Sequence, residues 1–236
     1  VTGAGAPRRS PSANGTIVYL FDIDGTLLHG RRSGRDALDA AFVALHGVPE
    51  ASAGVRFGGK TDPVIVDEIF AARLGRAPTP NERAACLDAY VPRVCAHLAT
   101  GGVDVLPGVR DALERLAVRP EVRLGIATGN VRAGADAKLA AAELTAFFSF
   151  GGYACDSPVR AELVAIARAR GSAGVRDVRE VVVVGDTIFD IAAARACGAT
   201  AVAVATGADS ADALAHADAV LASMSELLAW HEARFA

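Results

Sequence analysis

The sequence predicts an α/β protein, a parallel sheet that carries a large helical insertion after its first strand. Three observations lead there. Residues 17–21 form an unbroken apolar, β-branched and aromatic run that stops at acids and a glycine, as a strand covered on both faces does. The same pattern returns at 122–127, 181–184 and 201–205, each time followed by small polar residues and a helix-like stretch. Between the first and second of these runs lies a long interval with helical periodicity and no good strand.

Within that interval helices are expected over 35–46, 62–74 and 81–98, with breaks at Gly47-Val48-Pro49, Gly58-Gly59, Pro78-Thr79-Pro80 and Gly101-Gly102. This is far more chain than a crossover helix needs, so residues 31–103 are read as a helical domain inserted over the sheet edge. Residues 16–30 and 104–236 then form the α/β core. Residues 1–15, small, polar and broken by prolines, are expected to be a flexible tail. The core resumes with Pro107-Gly108-Val109, which opens a helix to residue 117 with proline suited to its first turn. The last stretch, with Leu227, Leu228, Trp230 and Phe235, reads as a packing helix without chemistry.

A chain of 236 residues with 52% hydrophobic and 22% charged residues buries a core without disulfides. Its formal net charge of -3 leaves no footprint for nucleic acid or an anionic membrane, so a small molecule is the expected partner. Cys86, Cys95, Cys155 and Cys197 show neither CxxC spacing nor paired histidines, which favours free thiols in a reducing compartment. No apolar run approaches the roughly 20 residues that span a bilayer, and the first fifteen residues or so lack an apolar signal region. A cytoplasmic monomer or homodimer is the expectation.

Open α/β sheets bind ligands beyond the carboxyl ends of their strands. Asp22-Ile23-Asp24-Gly25-Thr26 follows the first strand, Thr128-Gly129-Asn130 the second, and Gly185-Asp186-Thr187-Ile188-Phe189-Asp190 the third. Asp22 and Asp24, two apart on extended backbone, share a side, and Gly25 permits close approach of backbone N–H groups to an anion. Carboxylates converging there repel one another unless a cation neutralises them, and an all-oxygen set suits a hard ion such as Mg²⁺. The metal and backbone donors would then reverse the field that a phosphate monoester meets, and a carboxylate nucleophile becomes feasible.

These motifs resemble the haloacid dehalogenase superfamily, whose first signature is Asp-x-Asp-x-Thr and whose fourth is Gly-Asp-x-x-x-Asp. The resemblance runs from Thr16 to near the end of the chain, with Thr128 meeting the second signature and the helical insertion standing where a C1 cap belongs. It implies a Rossmann-like core and a phosphatase of the phosphoglycolate-phosphatase kind. Asp22 would attack phosphorus to form an aspartyl phosphate, while Asp24 protonates the leaving oxygen and then activates water. Mg²⁺ would be held by Asp22, the backbone carbonyl of Asp24, and Asp186, with Asp190 supporting it directly or through water. Thr128 would bind the phosphoryl oxygens, with Gly25, Thr26, Gly129 and Asn130 as further substrate contacts.

The third signature departs from the family, because Cys155-Asp156-Ser157-Pro158-Val159-Arg160 offers no lysine. Arg160 is the candidate for that positive charge, although a planar guanidinium is not equivalent to an ammonium. Lys138, inside the helix after Thr128, is the alternative and is expected to have the poorer reach. Phe57-Gly58-Gly59-Lys60-Thr61-Asp62 resembles the cap loop that contacts the leaving group in phosphoglycolate-phosphatase-like relatives, so Lys60 would meet an anionic substituent. Asn130 is equally placed to cap the next helix, and His29 and His46 read as surface or hinge residues. A β-phosphoglucomutase-like phosphomutase and a non-catalytic phosphate-binding protein are the competing readings. A true dehalogenase is disfavoured, since that chemistry needs no Mg²⁺ and no acid at Asp24.

Overall fold

The computed structural model describes residues 15–236; the expected tail, apart from Gly15, lies outside the described residues. In chain order the elements are β1 (Thr16–Phe21), β2 (Leu28–His29), α1 (Ser33–His46), α2 (Asp62–Leu74), α3 (Pro80–Gly101) and β3 (Asp104–Val105). There follow α4 (Val109–Ala117), β4 (Val122–Ala127), α5 (Arg132–Ala141), β5 (Gly151–Gly152), α6 (Arg160–Ser172) and β6 (Val178–Gly185). The chain closes with α7 (Ile188–Ala196), β7 (Thr200–Val204), α8 (Ala211–Leu214), β8 (Ala219–Leu221) and α9 (Leu227–Phe235).

Six strands pair in parallel in the order β5-β4-β1-β6-β7-β8. Alternation along the central strand divides its apolar side chains between the two faces. Ile17, Tyr19 and Phe21 pack with Leu113, Leu116 and Leu227 on one face, and Val18 and Leu20 with Leu163, Val164 and Ile191 on the other. That double cover is why the strand reads as a continuous apolar run. In the register, Phe21 lies opposite both Ile126 and Val184, so the carboxyl ends of β1, β4 and β6 are level. Asp22, Thr128 and Asp186 therefore leave the sheet at one rim.

The helical insertion closes its own apolar cluster around Phe42, Ile69, Phe70, Cys86, Tyr90 and Val94. A buried side chain of the larger kind contributes about 1.5–3 kcal/mol, so this cluster, which Val131 and Ala154 of the α/β core join, holds α1, α2 and α3 together and seats them on the core. Thr79 and Glu82 form a reciprocal cap at the start of α3, with Pro80 at its first position, which explains the break read at Pro78-Thr79-Pro80. Where the chain leaves the core and returns to it, β2 and β3 pair antiparallel, Leu28 opposite Val105. Arg31 clamps this junction through Asp104 and the Gly101 carbonyl at 2.8 Å. Both Arg31 and Arg32 adopt left-handed backbone, φ 46° and 67°, a turn that arginine tolerates only at some cost. Trp230 and Phe235 stack edge to face in α9, a packing role as expected.

Candidate active site

A cavity of about 240 Å³ opens between the rim of the sheet and the helical insertion, walled by Asp22, Asp24, Thr128 and Arg160 from below and by residues of α1, the 57–62 loop and Tyr90 from above. Asp22 follows β1 directly, and its N–H donates to the Val184 carbonyl at 2.9 Å. Asp186 directly follows β6, and its carboxylate accepts from the Ala208 N–H at 2.6 Å and from the Thr26 hydroxyl at 3.4 Å. Asp190, in the first turn of α7, accepts from the N–H and hydroxyl of Thr187 at 3.0 and 2.6 Å.

One carboxylate oxygen from each of Asp22, Asp186 and Asp190 lies within 4.8 Å of the others, and all three residues are buried. Burial, with Asp190 and Asp24 adding to it and Arg160 opposing it, pushes the Asp22 carboxyl up to about 6. Burial, followed by Asp22 and Asp190, pushes Asp186 up to about 8. Among the described residues Arg160 is the one cation in contact with this trio: its guanidinium reaches Asp190 at 2.6 Å and Asp22 at 3.1 Å. Three carboxylates against one guanidinium leave an excess of negative charge that a divalent cation with oxygen ligands relieves. The donor set therefore fits Mg²⁺.

The side chain of Asp24 belongs to a second network. One of its oxygens accepts from Lys138 Nζ at 2.6 Å and from Asn130 Nδ2 at 2.8 Å. Asn130 also donates to the Thr128 hydroxyl at 2.9 Å and accepts from Lys138 at 2.8 Å. Burial pushes the Asp24 carboxyl up, but the charge and hydrogen bonds of Lys138 and Asn130 outweigh it and hold the group below the usual carboxylate range. Lys138 corrects the expectation of poor reach. It stands on the face of α5 turned to the cavity, and its straight stem spans the distance that sequence spacing makes look too long. The two candidate cations thus divide the aspartates, Arg160 touching Asp22 and Lys138 touching Asp24.

Other expectations move. Gly25 and Thr26 do not wall the cavity: the Gly25 N–H is spent on the Leu28 carbonyl, and Thr26 is fully buried behind Asp186. At Gly25, φ is 86° and a Cβ would fall 2.5 Å from the Asp186 carboxylate, so glycine is required there for space. Lys60 walls the cavity as expected, and its ammonium pairs with Glu68 at 2.6 Å. Asn130 is not the cap of α5; that position is Val131, without a side-chain cap. His29 is exposed on β2, and His46 packs against Phe42 and Phe70.

Asp62 was hidden in the sequence as an ordinary acid in the first turn of a helix. Here it joins insertion to core: its N–H donates to the Gly129 carbonyl at 2.7 Å and its carboxylate accepts from the Val131 N–H at 2.8 Å. Burial, opposed by Lys138, pushes it up to about 6. Thr61 adds a bond to the Pro158 carbonyl at 2.9 Å, and Arg160 one to the Gly59 carbonyl at 3.2 Å. Thr187 is the other residue passed over, although its spacing from Asp190 is a capping-box signal.

A family model described as haloacid dehalogenase-like hydrolase matches residues 18–198, the span that holds the four aspartates, Thr128, Asn130, Lys138 and Arg160. The chain belongs to the haloacid dehalogenase-like hydrolases. This hydrolase is 33% identical over 197 residues to a phosphoglycolate phosphatase of Rhodospirillum rubrum, covering 80% of this chain and 79% of that protein. The crystal structure of CbbY from Rhodobacter sphaeroides in complex with phosphate superposes with a TM-score of 0.69 at 23% identity, covering 89% of this chain and 95% of that one. A hydrolase from Pseudomonas syringae superposes with a TM-score of 0.66 at 22% identity, covering 93% and 98%. At those identities the two structures speak for the fold. Among the described residues no helix is long and apolar enough to cross a membrane.

Proposed function

We propose that this hydrolase is a Mg²⁺-dependent phosphatase that cleaves a small phosphomonoester through an aspartyl phosphate on Asp22, with phosphoglycolate, the substrate in the name of the R. rubrum relative, as the leading candidate. The observation that carries the reading is the separation of two aspartates two residues apart into different environments. Asp22 lies among buried carboxylates beside Arg160, and Asp24 lies on the cavity wall under Lys138 and Asn130. One is suited to attack and the other to move protons.

Asp22, Asp186 and Asp190, with the backbone carbonyl of Asp24, would hold Mg²⁺, which supplies positive charge for the phosphoryl oxygens and lets the carboxylates ionise together. Arg160 steers Asp22 and offers a second positive charge to the transferring group. Thr128, its hydroxyl oriented by the Asn130 amide, donates to a phosphoryl oxygen. Asp24, held ionised by Lys138, is in the form that activates water in the second step. For the first step it must carry a proton, and the arriving phosphate dianion favours that by raising its pKa. Residues 31–103 act as the cap that excludes water, and its small cavity leaves room for a metabolite and not for a polymer.

The test is a screen of phosphorylated metabolites read out as free phosphate, with Mg²⁺ and with a chelator. Metal-dependent release, strongest for a small monoester, is expected. Isomerised sugar phosphate without free phosphate would identify a mutase, and binding without turnover in every case would identify a phosphate-binding protein.

A further inference from the structure

The cap side of the cavity contains polar groups that the phosphate chemistry does not use. Ser33, the first residue of α1, is 4% exposed, and its hydroxyl is buried without a hydrogen-bond partner. Tyr90 comes from the opposite side, out of α3; it is 1% exposed, and its hydroxyl is directed at the same turn, 3.5 Å from where a Cβ on Gly34 would stand. No hydrogen bond to that phenol is made by the described residues. Ser33, Gly34 and Tyr90 all wall the cavity. A buried hydroxyl is rarely left unpartnered in a stable fold, and the one on Ser33, with the Tyr90 hydroxyl open to the cavity beside the next residue, calls for a ligand.

That turn is also the start of a 14-residue helix with no side-chain cap, so its first N–H groups lack intrahelical acceptors and carry the positive end of the helix dipole. Arg35, on the same turn, has no carboxylate partner among the described residues. It donates to the Ser52 and Val55 carbonyls and lies 4.2 Å over the Phe57 ring, a fixed charge beside the cavity. The other cations of the wall have carboxylate partners, Arg32 in Asp36, Lys138 in Asp24, Arg160 in Asp22 and Asp190, and Lys60 in Glu68.

Building on the phosphatase reading, the geometry points to an anion subsite at the first turn of α1, formed by Ser33, Tyr90 and the Gly34 N–H beside Arg35, which holds a second acidic group on the leaving alcohol. The substrate class is then a short phosphomonoester whose alcohol carries a carboxylate, the compact anion that a cavity of about 240 Å³ accommodates beside a phosphoryl group. A second phosphate offers the same charge in a larger body. The discriminating side chains are Ser33 and Tyr90, not Lys60.

The test is calorimetric binding of three non-hydrolysable phosphonates to the full chain with Mg²⁺: 3-phosphonopropionate, ethylenediphosphonate and propylphosphonate, which differ only in the group at the far end. Wild-type protein is expected to bind the carboxylate probe about tenfold tighter than the methyl probe. Ser33→Ala and Tyr90→Phe are each expected to bring that ratio close to one. Because Ser33→Ala removes an unpartnered hydroxyl, its melting temperature should hold or rise, which a merely structural role for Ser33 would not allow. A preference for the diphosphonate that the same variants abolish assigns the subsite to a second phosphate. Equal binding of all three probes by wild type overturns the subsite and leaves the phosphatase reading standing. A preference that survives both variants also overturns it, and failure of every phosphonate to bind overturns the phosphatase reading as well.

Discussion

Lys138→Met separates the role of Lys138 from that of Arg160. The substitution keeps an unbranched stem of similar length and removes only the ammonium, which is 5% exposed and lies 2.6 Å from Asp24 and 2.8 Å from Asn130. A hydrogen bond to a charged group contributes about 1.5–3 kcal/mol. The Asp24 side chain is 45% exposed to the cavity, so water screens the pair and the lower end applies, roughly 1.5 kcal/mol of stability. The effect on turnover is larger. Without Lys138, Asp24 and Asn130 lose their common anchor, and a proton-transfer group displaced by about 1 Å loses on the order of 10²-fold in rate. The assay is steady-state hydrolysis of an alkyl phosphate against p-nitrophenyl phosphate, whose leaving group needs little protonation. The expected kcat loss is on the order of 10²-fold for the alkyl ester and about tenfold less for the aryl ester. Equal losses on both esters, or a variant within about twofold of wild type on the alkyl ester, would refute the anchoring of Asp24 by Lys138.

Asp62 gives a pH-dependent stability. Its carboxyl is raised in the folded protein to about 6 from an ordinary value of 3.8, so its favourable contribution is complete below about pH 4 and is lost as pH rises through about 6. Asp62→Asn keeps an oxygen for the Val131 N–H and cannot ionise. Urea unfolding should show the variant gaining about 3 kcal/mol on wild type between pH 4 and pH 7.5, and a pH-independent difference would contradict the shift. Gly129→Ala should undock the cap, because the new Cβ would fall 2.2 Å from the Lys60 carbonyl oxygen. We expect KM to rise by at least about tenfold with only a small fall in melting temperature, since the core beneath is unchanged; unaltered KM would show that this contact is dispensable.

The parallel sheet and its rim were legible because strands covered on both faces leave unbroken apolar runs, and because Asp22, Thr128 and Asp186 each follow such a run directly. The shortest elements were not legible. β5 is two glycines, 151 and 152, where side chains would strike Tyr153 and the Leu163 carbonyl, so it has no apolar pattern to read. β2 and β3 are held by backbone pairing and the Arg31–Asp104 clamp between residues more than seventy positions apart, which no local signal reports. The same limit governs the site. Sequence spacing places a residue along a helix, but whether Lys138 reaches Asp24 depends on how α5 is rotated against the sheet. The pairing of Lys60 with Glu68, two turns further along α2, and that of Asp62 with Gly129 and Val131, in the other half of the molecule, likewise leave no local signal.

The central claim is that Asp22 carries the phosphoryl group between the two steps. Rapid acid quench of the enzyme turning over a small phosphomonoester with Mg²⁺, followed by mass mapping of the intact chain and its peptides, tests it directly. The account predicts one added phosphoryl group, confined to the peptide that contains Asp22 and absent from Asp22→Asn. Phosphate release at the wild-type rate by Asp22→Asn, or a phosphoryl group found on a different residue, would contradict it.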